Sequence, residues 1–171
     1  MKKSIFIAAL LSAVVAAPAV AENMYAGVNI GSAKINDSGY DTSTSYALLG
    51  GHNFNENVAA EIAYSNFGKE VRFGVTSKSS ALSVSAVGSF VAYDPITLFG
   101  KLGFASTKLD IQNATTARKT GLTYGFGAQF NVTDGGSAGY IRVGYDVYKV
   151  QDDDNVTLSQ KVIGVSFLTR F

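Results

Sequence analysis

The sequence predicts an all-β protein, an eight-stranded antiparallel up-and-down transmembrane β-barrel, and three observations predict it. Apolar residues alternate with small or polar ones in steps of two, which is the period of a strand. The alternating runs are joined by connections that are short at one end and long at the other. Charge is sparse: the 171 residues are 47% hydrophobic and 16% charged, whereas soluble domains carry about 25% charged residues. The length suits one domain of ordinary size with ample apolar content for burial. A formal charge of +1 excludes the strongly basic surface of a nucleic-acid binder. The absence of cysteine removes disulfide frameworks, thiolate catalysis and zinc-thiolate sites, and a single histidine leaves little metal chemistry, so no cofactor is expected.

The first 21 residues read as a cleavable signal peptide. Met1-Lys2-Lys3 is basic, Ile5 to Ala17 is an apolar run interrupted by Ser12, and Ala19-Val20-Ala21 is the small-x-small pattern before a cleavage site. A membrane-anchoring helix is opposed by Pro18 and by a run shorter than the ~20 apolar residues a spanning helix requires. The barrel is then expected over 22–171. No later apolar run is long enough to span as a helix, and only helices and closed barrels satisfy their backbone groups in lipid.

The strands follow in order. In the first, Met24, Ala26, Val28 and Ile30 oppose Tyr25, Gly27, Asn29 and Gly31. The second, Tyr46 to Asn53, is less clean, with Leu48 and Leu49 on opposite faces. In the third, Val58, Ala60, Ile62 and Tyr64 oppose Ala59, Glu61, Ala63 and Ser65. The fourth, Ser79 to Tyr93, changes its apolar phase near Val87, which points to a bulge or a mixed face. In the fifth, Ile96, Leu98, Leu102 and Phe104 oppose Thr97, Phe99, Lys101 and Gly103; in the sixth, Leu122, Tyr124, Phe126, Ala128 and Phe130 oppose Thr123, Gly125, Gly127, Gln129 and Asn131. The seventh sets Ile141, Val143, Tyr145 and Val147 against Tyr140, Arg142, Gly144 and Asp146; the eighth sets Ile163, Val165, Phe167 and Phe171 against Gly164, Ser166, Leu168 and Arg170. Each is expected to run about nine to twelve residues, the length a tilted strand needs to cross a bilayer.

Connections after even strands, at Asn53 to Asn57, Asp94-Pro95 and Val132 to Gly139, carry turn residues. Those after odd strands are longer and polar: Asn36 to Thr44, Asn66 to Ser80, Thr107 to Lys119 and Lys149 to Thr157. Short turns at one end and long loops at the other match a bacterial outer-membrane barrel, with turns in the periplasm and loops outside. A secreted lipocalin-like ligand-binding barrel also has eight alternating strands, but its polar face must be solvated by charged side chains. Here that face is mostly Gly, Asn, Thr and Gln, which suits a crowded lumen, while the apolar face meets lipid. Tyr64, Tyr124, Phe104 and Tyr145 near the loop side, with Phe130 and Phe171 near the turn side, form the two expected aromatic bands.

Several of these segments resemble the OmpA-like and opacity-protein-like outer-membrane barrels. Met24-Tyr25-Ala26-Gly27-Val28-Asn29-Ile30-Gly31 resembles their first strand, and Gly50-Gly51-His52-Asn53 followed by Val58-Ala59-Ala60-Glu61 their strand-turn-strand with an inward glutamate. Thr97 to Gly103, with Lys101, is similar to their fifth strand, and Gly125 to Phe130 with Ile141 to Tyr145 to their sixth and seventh. Val165 to Phe171 resembles their terminal strand. The sequence departs at Gln129, where the OmpA barrel has an inward acid. No peptidoglycan-binding domain is expected after the barrel, so wall anchoring is not carried over. The resemblance implies a multi-pass protein of the bacterial outer membrane, a surface antigen of the porin family. It also implies contact with lipid, lipopolysaccharide and the barrel-insertion machinery, with Phe167 and Phe171 as the terminal assembly signal.

Alternation places Glu61, Lys101, Arg142 and Asp146 inside, where an unpaired charge costs several kcal/mol. Glu61 is expected to meet Lys101 or Arg142, with Gln129 completing the hydrogen bonding and Asp146 nearer the loop end. A plug that fixes register is favoured over an ion gate, because eight strands leave room for little beyond side chains; a narrow porin-like channel is the alternative. Catalysis is not expected: His52 sits close to a periplasmic turn, out of reach of a loop-side nucleophile. Asp152-Asp153-Asp154 reads as a solvated acidic loop rather than a cation site, and the sequons at Asn113, Asn131 and Asn155 carry little weight in a bacterial product. The loops hold the surface chemistry. Lys69, Arg72, Phe73 and Lys78 in the second, and Lys108, Arg118 and Lys119 in the third, would be drawn to lipopolysaccharide phosphates or to a host or phage surface protein. Val71, Phe73 and Val75 suggest that the second loop extends its strands as a hairpin. The expected role is structural, with surface interaction through the loops.

Overall fold

The structure, a computed structural model, describes residues 23–35, 42–72, 75–111, 117–134, 137–151 and 157–171. It is a closed antiparallel barrel whose strands follow chain order: β1 (Met24–Ile35), β2 (Ser43–Asn53), β3 (Val58–Arg72), β4 (Val75–Tyr93), β5 (Ile96–Ile111), β6 (Ala117–Asp134), β7 (Ser137–Gln151) and β8 (Thr157–Arg170). Closure leaves no open edge, the condition for a sheet to cross lipid. Following partners from Met24 through His52, Ala60, Ala86, Leu102, Tyr124, Val147 and Lys161 returns to β1 at Lys34. The pairing line therefore climbs ten residues towards the loop end in one circuit. Such a shear makes the strands tilt.

Alternation sorts the faces. Ile62, Val84, Leu102, Phe104, Phe126 and Ile163 point outward and are exposed, Phe104 at 67%. Inside, two apolar layers bracket a polar one. The turn-side layer is Tyr25, Ala59, Val87, Phe99 and Leu168, with Leu49 and Tyr140 against it. The loop-side layer is Ala33, Phe67, Ala81, Ala105, Tyr148 and Val162, where the Phe67 and Tyr148 rings meet edge to face at 5.0 Å.

Two expectations are corrected. The strands run 11 to 19 residues rather than nine to twelve, because polar composition does not stop a ladder from continuing beyond lipid. Lys69 to Arg72 still pair with Lys78 to Val75, Thr107 to Leu109 with Lys119 to Ala117, and Thr133 and Asp134 with Ala138 and Ser137. The second connection is thus strand to within two residues of its tip. Of the two readings near Val87, the mixed face holds and the bulge does not: Val87 keeps the inward parity of Ser83 and Ser85 and is 4% exposed within the turn-side layer. The irregularities fall elsewhere, between Val91 and Tyr93 and between Asn66 and Lys69. At the latter, Gly68 takes φ +82°, where a Cβ would lie 2.6 Å from the Thr44 carbonyl oxygen, so strain and space both demand glycine. Val147 keeps the outer parity expected of it, with Tyr124 and Lys161 as register partners, yet is only 3% exposed.

Residues 1–21, Phe73, Asn113, Asp152 to Asp154 and Asn155 lie outside the described residues.

Candidate functional site

The polar layer of the lumen is built from opposite walls. Glu61 on β3 is 3% exposed and receives hydrogen bonds at one oxygen from Arg142 Nη1 of β7 at 2.6 Å and from the Tyr25 hydroxyl of β1 at 2.9 Å. Lys101 Nζ of β5 lies 3.5 Å from its other oxygen and 2.9 Å from Asp146 Oδ1. Both cations therefore contact Glu61, and Lys101 bridges it to Asp146. Gln129 joins the layer through Arg142: its Oε1 accepts from Arg142 Nη2 at 3.1 Å and Nε at 3.4 Å, and it makes no described bond to Glu61. The Arg142 guanidinium also lies over two rings, 4.6 Å from the centre of Phe99 and 5.7 Å from that of Tyr25.

The four charges sum to zero, and every one has an opposite charge within 3.5 Å. Above them Ser65 and Tyr148 hydroxyls meet at 3.1 Å, and Asn29 donates to Ser166 at 2.8 Å. Beside the layer lies a cavity of about 20 Å³ bordered by Asn29, Ser45, Lys101, Arg142, Asp146 and Tyr148, room for about one water.

Sequence reasoning missed Tyr25, Phe99 and Tyr148 as members of this network. Parity already put Tyr25 and Phe99 inward; the aromatic type, which ordinarily signals an interface band, hid the role.

His52 lies at the turn end, opposite Met24 and Ala60, with its ring edge to face with Phe54 at 5.2 Å. Among the described residues no three His, Cys, Asp or Glu side chains gather as a metal site. Phe167 points outward at 53% exposure between register partners Val28 and Ile141. The Phe171 N–H donates to the Met24 carbonyl at 2.9 Å, fastening the end of the chain to its first strand. At the loop end Lys108 and Arg118 are register partners, Lys78 stands opposite Lys69 and Asp110, Lys119 is half-buried, and Arg72 pairs with Val75 at the tip of the β3–β4 ladder.

A family model described as outer membrane protein beta-barrel domain matches residues 6–171. Among solved structures, Neisserial surface protein A is similar with a TM-score of 0.72 at 14% identity, over 88% of this chain and 98% of that one. Ail, the attachment invasion locus protein of Yersinia pestis, is similar at 0.56 with 21% identity, over 86% and 99%. The N-terminal beta-barrel domain of OprF from Pseudomonas aeruginosa gives 0.54 with 13% identity, over 86% and 98%. No curated protein matches the chain.

Proposed function

The chain belongs to the outer membrane protein beta-barrel domain family and lies in the bacterial outer membrane, and from that premise we propose that it is a non-conducting scaffold that presents its loop-side surface to a partner outside the cell. The observation that carries this reading is the filled lumen, with a neutral ion-pair layer between two apolar layers and space for about one water. A chain whose interior is spent on closure has its outer surface left for function. The ladders of β3–β4 and β5–β6 continue well past the exposed Tyr64 and Phe104, raising a sheet on one side of the rim. Its basic positions, Lys69, Arg72, Lys78, Lys108, Arg118 and Lys119, suit an anionic or strand-forming region of a host or phage protein. Ail, an attachment invasion locus protein, shares this fold.

We assign no reaction to the protein. We further propose that Phe167 and Phe171 form the signal read by the barrel-insertion machinery; deleting Phe171 should lower outer-membrane insertion in cells, and unchanged insertion would refute the signal.

Two measurements test the main reading. In planar bilayers, wild type and Arg142→Ala should both lack a steady conductance; steady current through wild type would make it a narrow channel. Cells lacking the protein, and cells whose protein lacks the tip of the β3–β4 hairpin, should lose binding to host matrix or serum factors. Retained binding in both strains would leave the barrel a scaffold without the surface role.

A further inference from the structure

Two open seams divide the loop end of the barrel. The β2–β3 ladder stops at Tyr46 opposite Asn66, although β2 reaches loopward to Ser43 and β3 to Arg72. Across the barrel the β6–β7 ladder stops at Thr123 opposite Tyr148, although β6 begins at Ala117 and β7 ends at Gln151. Between the seams β3, β4, β5 and β6 stay paired with one another, as far as Arg72 with Val75, Ser77 with Ile111 and Leu109 with Ala117. Among the described residues this upper sheet has no ladder to its flanking strands above Asn66 and Thr123.

The two bulky side chains of the loop-side apolar layer sit at the roots of these seams. Phe67, 1% exposed, is the first β3 residue past the β2–β3 ladder, and Tyr148 is the last β7 residue within the β6–β7 ladder. The rest of the layer is smaller, Ala33, Ala81, Ala105 and Val162. The edge-to-face contact of the two rings therefore closes the lumen at this level. Polar groups lie on both sides of it. On the turn side is the cavity of about 20 Å³, which Ser45, Ser65 and Asp146 border together with the two rings. Its Ser45 Oγ is buried and has no hydrogen-bond partner. Towards the loops stand Ser43, Ser79 and Gln160, with the Ser79 hydroxyl donating to Gln160 Oε1 at 3.3 Å. An apolar constriction between two hydrogen-bonding zones keeps water from passing.

The backbone beside Phe67 is suited to bend. Phe67 and Gly68 together oppose Ser79 alone, a bulge that interrupts the β3–β4 ladder. At φ +82° Gly68 holds a conformation that strains any residue with a Cβ. Glycine takes either sign of φ with similar ease, so this position can change state at little cost. Across the β2–β3 seam the Ser43 hydroxyl donates to the Phe67 carbonyl, a side-chain bond where a ladder would otherwise be.

We propose that the upper sheet of β3 to β6 tilts as one body about a line from Gly68 to Thr123, and that the tilt draws Phe67 off Tyr148 and admits water to the cavity. Phe67 is thus a hinged lid. Movement of the sheet outside the membrane then reaches the Lys101–Asp146 pair, which borders the same cavity. The turn-side layer of Tyr25, Phe99 and Leu168 stays shut, so the opening hydrates the loop half of the lumen without making a channel. This inference concerns the chain alone and stands whether or not the sheet binds a partner.

The chain has no cysteine, so Ser45→Cys in the full chain, folded in lipid nanodiscs, places a single thiol on the cavity wall. A charged, membrane-impermeant methanethiosulfonate then reads access to it, with mass spectrometry counting the labelled fraction over time. Labelling should be at least about a hundredfold slower than at the exposed position of Lys34→Cys. Adding Phe67→Ala should quicken it about thirtyfold, and adding Gly68→Ala about tenfold, because the new Cβ disfavours the closed backbone. In a second measurement, para-fluorophenylalanine at position 67 alone should give two exchanging fluorine signals, the minor one enlarged by Gly68→Ala. Labelling of Ser45→Cys as fast as Lys34→Cys, or no effect of Phe67→Ala, overturns the lid. A Gly68→Ala variant that changes neither the labelling nor the fluorine signals overturns the hinge and leaves a fixed plug. Should Phe67→Ala not reach the heat-modifiable folded form, Phe67→Leu takes its place under the same criterion.

Discussion

The two faces of the same eight strands handle charge by opposite rules. Inside, Glu61 and Asp146 are matched by Lys101 and Arg142, each within 3.5 Å of an opposite charge. Outside, at the loop-side rim, Lys34 stands opposite Lys161 and Lys108 opposite Arg118, two pairs set against their own sign. The difference lies in the surroundings. In a dry lumen a lone charge forfeits several kcal/mol of hydration, so the sequence must supply its partner. At the membrane edge, water, salt and headgroups screen the charges, so a like-signed pair costs only tenths of a kcal/mol and can be kept for an external ligand. Inward charge is bound to stability; outward charge sits where water and headgroups reach it.

The largest way to break this comparison is to orphan the inner cations. Glu61→Ala leaves Arg142 buried with only Gln129, Tyr25 and Phe99 around it, and should destabilise the barrel by about 3–5 kcal/mol. Urea unfolding in lipid vesicles, followed by heat-modifiable migration, measures it. Glu61→Met/Arg142→Met, which removes the charges together and leaves Lys101 with Asp146, should recover most of the loss. A cost below about 1 kcal/mol for Glu61→Ala would mean that the lumen is wet and that the rule for the inner face is wrong.

A smaller effect separates the faces by volume rather than charge. A Cβ on inward Gly103 would lie 2.6 Å from the Ser85 Cα and inside contact distance of the Val84 carbonyl, whereas outward Gly88 has nothing within 4 Å. Gly103→Ala should therefore cost about 1–3 kcal/mol, as overpacking does. Gly88→Ala should be neutral or stabilise by up to about 1 kcal/mol through loss of unfolded-state freedom. Equal effects in the same vesicles would show that inner packing is no tighter than the lipid face.

Much of the barrel was legible because a period of two is a local signal: it names the face of Glu61, Lys101, Arg142 and Asp146 without any knowledge of register. What stayed hidden depends on pairing. Whether Gln129 serves Glu61 or Arg142 is decided by β6 and β7 lying side by side with Gln129 opposite Arg142. The apparent phase change at Val87 is an apolar side chain completing the turn-side layer with Tyr25 and Phe99, a contact between strands far apart in sequence. The gathering of the rim cations was hidden most fully. Lys34, Arg118, Lys149 and Lys161 are far apart in sequence, and only the pairing of β6, β7, β8 and β1 brings them to the same end of the barrel.

The smallest effect tests the outer rule directly. Lys34 is exposed and faces Lys161 across the β1–β8 ladder. In zwitterionic vesicles Lys34→Gln removes a repulsion, so stability should stay within about 0.5 kcal/mol of wild type and lean towards an increase. Raising the salt concentration should erase that increase, because a pair at the surface is screened within a Debye length of about 10 Å at 0.1 M. In vesicles whose outer leaflet carries phosphorylated lipid A the sign should reverse, the variant becoming less stable by up to about 1 kcal/mol as one headgroup contact is lost. The reversal is the decisive result. A substitution that changes sign with the lipid reports a charge placed for a ligand, whereas one that destabilises equally in both lipids reports a charge placed for the fold, and the contrast between the two faces would then not hold.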